Sequence, residues 1–66
     1  MQLTVNGEPR TLADALKIDE LLAALQLGGK RVAVEVNGSI VPRSQHAGTA
    51  LRDGDEVLIV QAIGGG

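Results

Sequence analysis

From Met1 to Val5 the apolar residues Met1, Leu3 and Val5 alternate with Gln2 and Thr4, the period-two pattern of a strand with one buried face. Asn6-Gly7 follows. Both residue types tolerate the positive φ of a type I′ turn, so the pair predicts a hairpin into a second strand, Glu8 to Ala13, with Leu12 inward. Pro9 lacks an N–H and places that strand at a sheet edge. Ile18, Leu21, Leu22 and Leu25 then fall at i, i+3, i+4 and i+7, the stripe of an amphipathic helix over Ile18 to about Gln26. An earlier start through a Thr11/Asp14 capping box fails, because Leu12 and Leu16 are out of phase with that stripe. Asp19 and Glu20 complement the positive end of the helix dipole, and Gly28-Gly29 are expected to supply the left-handed residue that ends the helix.

Val32, Val34 and Val36 alternate with Ala33 and Glu35, giving a third strand with an inward face. Asn37-Gly38 repeats the hairpin signal, and Ser39 to Val41 returns as a short fourth strand stopped by Pro42. Arg43 to Ala50 reads as polar and irregular. Asp53-Gly54-Asp55 turns the chain into its last strand, Val57 to Ile63, which is apolar at every position but Gln61. So apolar a strand belongs in the middle of a sheet, inserted parallel to the first strand through the crossover that contains the helix. The element order β-β-α-β-β-β, with about five strands in a mixed sheet on one main helix, predicts an α+β protein of the β-grasp, ubiquitin-like architecture. Residues 1–63 form its single domain, and 64–66 are a flexible glycine tail.

That last strand runs directly into Gly64-Gly65-Gly66. Glycine has no Cβ and adopts either sign of φ, so such a segment threads a channel too narrow for other residues while its backbone bonds the walls. The alternative is an ordinary frayed or linker end. Along the strand, Val57, Ile59 and Ile63 face the helix, which points Leu58, Val60 and Ala62 to the opposite side of the sheet. Those three dock partner proteins, or else Leu58 and Val60 are covered by the Arg43 to Ala50 loop or reflect a generally apolar central strand.

Composition narrows the class of function. A chain of 66 residues without cysteine buries about 60% of its unfolded surface and relies on that burial alone, with no disulfide or structural zinc. A net charge of -2 and the absence of Phe, Tyr and Trp leave neither a basic stripe nor stacking platforms for nucleic acid. No apolar run reaches the roughly 18 residues that cross a bilayer, and no signal-peptide pattern opens the chain, so the expected compartment is the cytoplasm. Ser44, His46 and Asp53 lack a nucleophile elbow and an oxyanion frame, and His46 with Asp53 or Asp55 is too few ligands for a metal. Gly28-Gly29-Lys30 lacks the spacing and hydroxyl of a phosphate loop. Lys30, Arg31, Arg43 and Arg52 read as solvated charges, with rim contacts to a partner as the other reading. No catalytic residue and no metal site is assigned.

Val36-Asn37-Gly38-Ser39-Ile40-Val41-Pro42-Arg43-Ser44, Leu51-Arg52-Asp53-Gly54-Asp55-Glu56-Val57 and Ile63-Gly64-Gly65-Gly66 together resemble the ThiS family, the sulfur carriers of thiamine biosynthesis. Val5-Asn6-Gly7-Glu8 and the helix Ile18 to Leu25 share in the resemblance, which covers nearly the whole chain. A terminal Gly-Gly alone is also found in the MoaD-like carriers of molybdopterin synthase and in ubiquitin-like binding or conjugating modules, and these stand as the alternatives. The resemblance implies a protein co-substrate rather than an enzyme. A ThiF-like enzyme, using ATP and magnesium that this chain does not itself bind, adenylates the Gly66 carboxylate. Sulfur from cysteine then arrives through a desulfurase, and the resulting thiocarboxylate passes to a ThiG-like thiazole synthase. On this resemblance the partners that Leu58, Val60 and Ala62 dock are the activating enzyme and thiazole synthase. The family commonly requires the last two glycines, leaving Gly64 as a spacer.

Overall fold

A computed structural model describes residues 1–61. Its elements are β1 (Gln2–Val5), β2 (Glu8–Thr11), α1 (Ile18–Ala24), β3 (Val32–Val36), β4 (Ser39–Val41), a 3₁₀ helix (Arg43–Gly48) and β5 (Glu56–Gln61). The expected positions Ala62 and Ile63 of the last strand, the glycine tail and the boundary between them lie outside the described residues.

The strands form one sheet in the order β2-β1-β5-β3-β4. β5 is the central strand, as its apolar run requires, with β1 parallel on one side and β3 antiparallel on the other. The two hairpins flank it, and Pro9 sits on edge strand β2 opposite Thr4. One face of this mixed sheet carries α1, which is the β-grasp arrangement expected from the element order. Leu3, Val5, Val34, Val57 and Ile59 from the sheet close on Ile18, Leu21 and Leu22 of the helix, with Leu51 completing the core. With no aromatic residue in the chain, each aliphatic side chain so buried contributes about 1.5–3 kcal/mol.

The helix starts at Ile18, where the leucine stripe begins. Glu20 Oε1 accepts the Lys17 N–H at 2.9 Å, the returning half of a capping box. Its other end departs from expectation. The left-handed residue that closes the helix is Gln26, at φ 61; Gly29 is left-handed too, at φ 80, but stands three residues beyond it. The Gln26 N–H donates to the Ala23 carbonyl at 3.0 Å and the Leu27 N–H to the Leu22 carbonyl at 2.7 Å, the bond pair of a Schellman cap. Helix termination is set by where the leucine stripe stops facing the sheet. Leu27 must turn back onto the core, and Gln26 takes the strained conformation that allows it.

The segment expected to be irregular also differs. Arg43–Gly48 is a 3₁₀ helix, opened by the Gln45 N–H on the Pro42 carbonyl at 2.9 Å and steadied by Thr49 Oγ1 on the Gln45 carbonyl at 2.7 Å. Proline before the first turn supplies a fixed φ and a free carbonyl. The short turn buries His46 and packs against α1, so it covers the helix side of the sheet and not Leu58 or Val60.

Candidate functional site

β5 is held at its beginning by both hairpin turns. Asn6 and Asn37 each stand one residue past a neighbouring strand, at φ 52 in both cases, and each extends the ladder with its side chain. Asn6 donates its N–H to the Val57 carbonyl at 2.9 Å, and its Oδ1 accepts the Ile59 N–H at 2.7 Å. Asn37 donates its N–H to the Glu56 carbonyl at 2.7 Å, and its Oδ1 accepts the Glu56 N–H at 2.9 Å. Asn37 Nδ2 also donates to Asp55 Oδ1 at 3.0 Å, while Asp55 Oδ2 accepts the Arg52 N–H at 2.9 Å. The two Asn-Gly pairs therefore do more than reverse the chain. They fix the register of the strand that leads to the glycine end, a role invisible in the sequence because each bond spans many residues.

Alternation along β5 then sorts its side chains. Val57 and Ile59 are 3% and 7% exposed on the helix side, whereas Leu58 and Val60 are 44% and 54% exposed on the other. Ala62, the third member of the expected docking strip, and Gly64, Gly65 and Gly66 lie outside the described residues. Register adds residues to this outer face that the sequence reading did not include. Leu58 pairs with Glu35, Glu35 pairs with Ile40, and Val60 pairs with Ala33. Ile40 is 74% exposed. The signal for Ile40 was the alternation Ser39-Ile40-Val41, too short to assign faces until its pairing with β3 was in view.

Beside Leu58 an open cleft of about 260 Å³ is lined by Thr4, Asn6, Glu35, Glu56 and Leu58 among others. A second, of about 190 Å³, lies at the helix end between Asp19, Leu27, Lys30, Arg43 and His46. His46 is buried, with Nε2 3.0 Å from the Val41 carbonyl; a carbonyl only accepts, so that nitrogen carries the proton. Asp53 Oδ1 accepts the Gln2 N–H at 2.6 Å. His46 and Asp53 are thus engaged in separate structural contacts. Among the described residues no group of three His, Asp or Glu side chains could hold a metal ion, and no helix is long and apolar enough to cross a membrane.

A β-grasp sheet whose clamped central strand leads into glycines, with Ile40, Leu58 and Val60 exposed on its outer face, is a ubiquitin-like scaffold. Comparison with known proteins specifies which. The ThiS family model matches residues 3–66. The crystal structure of the thiamine biosynthesis protein ThiS from Geobacter metallireducens superposes with a TM-score of 0.86 at 42% identity over the whole of both chains. The sulfur carrier protein ThiS of Escherichia coli K12 is 36% identical, again over the whole of both chains. A thiazole synthase of Paramagnetospirillum magneticum is 44% identical across this chain, which spans 20% of that protein's length. The chain belongs to the ThiS family, whose proteins are small sulfur carriers of thiamine biosynthesis and serve enzymes as a co-substrate.

Proposed function

We propose that this chain carries sulfur as a thiocarboxylate on Gly66, made by an adenylating partner and handed to thiazole synthase. The reading is carried by one observation: the family model extends through Gly66, and the alignment with the E. coli carrier runs along the whole of both chains. Residues 1–63 are the handle, and Gly64, Gly65 and Gly66 enter the partner's active site, where the lack of a Cβ lets the walls close on the backbone. Leu58, Val60 and Ala62 form the strip on which the activating enzyme and thiazole synthase dock. The work takes place in the cytoplasm.

The chemistry explains why a partner is needed. An α-carboxylate is ionised at neutral pH. Its charge repels nucleophiles, and its leaving group would be oxide. Attack of a carboxylate oxygen on the α-phosphorus of ATP releases pyrophosphate and leaves an acyl adenylate, which is neutral at the carbonyl and has AMP as its leaving group. The outer sulfur of the desulfurase persulfide then takes the carbonyl carbon and expels AMP, and a second thiol cleaves the resulting acyl disulfide, leaving the thiocarboxylate and a disulfide between the two thiols. ATP, magnesium and the electrostatics that stabilise the transferring phosphoryl group belong to the ThiF-like partner.

The test is intact-mass analysis after incubation with a ThiF-like enzyme, ATP, magnesium, cysteine and a desulfurase. The expected product has one oxygen replaced by sulfur, and a chain lacking Gly66 gives none while unfolding at an unchanged temperature. A full-length chain that keeps its unmodified mass under conditions that convert the E. coli carrier would overturn the reading.

A further inference from the structure

The outer face of the sheet is not uniformly apolar. Glu35 stands in one cross-strand row between Ile40 and Leu58 and is half-buried there. Glu56 precedes Leu58 by two positions on β5 and therefore points to the same side. Both carboxylates line the cleft of about 260 Å³. The Met1 ammonium pairs with Asp14, and among the described residues neither the Glu35 nor the Glu56 carboxylate has a cation or a hydrogen bond.

The cleft is otherwise lined mainly by Thr4, Asn6, Gly7, Gly38 and Leu58, so an unpaired acidic pair beside the exposed Ile40 and Leu58 restricts what can cover this face. A partner surface that is apolar throughout would strand two carboxylates out of water, at a cost exceeding the gain from Leu58 and Ile40. A surface that places a cation there converts that cost into a charge-assisted contact. Arginine suits the position better than lysine. Its planar guanidinium offers donors on two edges, enough for both carboxylates, and it is enriched in the buried centres of protein interfaces.

We infer that thiazole synthase seats a basic side chain, an arginine, in the cleft between Glu35 and Glu56, while Ile40, Leu58 and Val60 pack around it. Thiazole synthase is the occupant because in the P. magneticum enzyme a segment similar to this whole chain is joined covalently to it, and a tether that keeps two modules at high effective concentration is useful where they must meet. The inference rests on the carrier reading above and adds to it the acidic cradle and the charge of the partner.

The experiment titrates the purified chain into its thiazole synthase by calorimetry at several potassium chloride concentrations. The double variant Glu35→Gln/Glu56→Gln is isosteric and sits at the surface, and its thermal unfolding is checked first. Binding is expected to weaken by about thirtyfold or more, and its dependence on salt to flatten. Leu58→Lys is expected to abolish binding. If the double variant binds as tightly as the parent and with the same salt dependence while Leu58→Lys does not bind, the cradle is wrong and the docking face stands. If it weakens with no flattening, the charge pairing is wrong. If the parent does not bind thiazole synthase although it acquires sulfur in the mass assay, the occupant is wrong and the carrier reading survives.

Discussion

Neighbouring residues on β5 live in different solvents. Val57 and Ile59 sit against α1 in a dry aliphatic core, and Leu58 and Val60, each one position away, face water. Chemically the four side chains are nearly interchangeable, so the difference lies entirely in the pleat. The inner pair is committed to holding the fold, and the outer pair contributes little to it. In a chain whose whole stability is about 3–10 kcal/mol, an apolar side chain left outside is surface available for association rather than an inefficiency of folding. The inner face therefore specifies the scaffold and the outer face what it meets.

The strongest way to break that comparison is to place the same charge on either side of it. Ile59→Asp buries a carboxylate with no partner beneath α1, at a cost of about 3–5 kcal/mol. Most or all of the stability goes, and the chain should lack a cooperative urea transition by far-UV circular dichroism. Leu58→Asp, one residue earlier, should leave the transition in place. Equal loss from both would mean that the outer face is covered.

Next in size is the clamp that keeps β5 in register, because slipping it by one residue would exchange the two faces. Asn6→Ala removes the acceptor of the Ile59 N–H and puts a Cβ residue without a local hydrogen bond at positive φ. An orphaned donor costs about 1–3 kcal/mol and the left-handed conformation about 1–2 kcal/mol. The sum, about 2–5 kcal/mol, is read from urea midpoints at constant m-value. Asn6→Asp retains an acceptor and should cost well under half of that. If alanine and aspartate cost the same, the side-chain bond contributes nothing and the turn alone matters.

These asparagines mark what was and was not legible in the sequence. Period-two alternation, the leucine stripe and two Asn-Gly pairs are local signals, and they carried every strand, the helix start and the central place of β5. What was missed is long-range or stereochemical. The asparagine side chains reach β5 across the fold, Ile40 joins the outer face only through its pairing with Glu35, and His46 is buried because a 3₁₀ turn folds onto α1. Polar composition around it gave no hint of that turn. The helix end was misassigned for a related reason. Gly29 does take the left-handed conformation, but packing of Leu27 decided that Gln26, three residues earlier, caps the helix.

That misassignment supplies a smaller test, on the inner layer. Gln26 holds φ 61 in the Schellman cap, where a Cβ costs about 1–2 kcal/mol that glycine does not incur. Gln26→Gly gives part of this back as extra freedom of the unfolded chain. The net expectation is a gain of about 0.5–1 kcal/mol, seen as a higher thermal midpoint. A loss would show that the glutamine side chain makes a contact worth more than the strain.

The smallest expected effect on stability is the most telling for function. Leu58→Lys replaces a 44% exposed side chain on a strand whose backbone is bonded on both sides. Lysine has a lower strand propensity than leucine, but its stem still covers Glu35 across the pair and its ammonium reaches water or that carboxylate. These effects oppose one another, leaving a change within about 0.5 kcal/mol. Thermal unfolding should be unaltered while calorimetry with thiazole synthase shows no heat of binding. A variant that destabilises by more than about 2 kcal/mol would instead place Leu58 in the core, and the division of labour between the two sides of β5 would have to be abandoned.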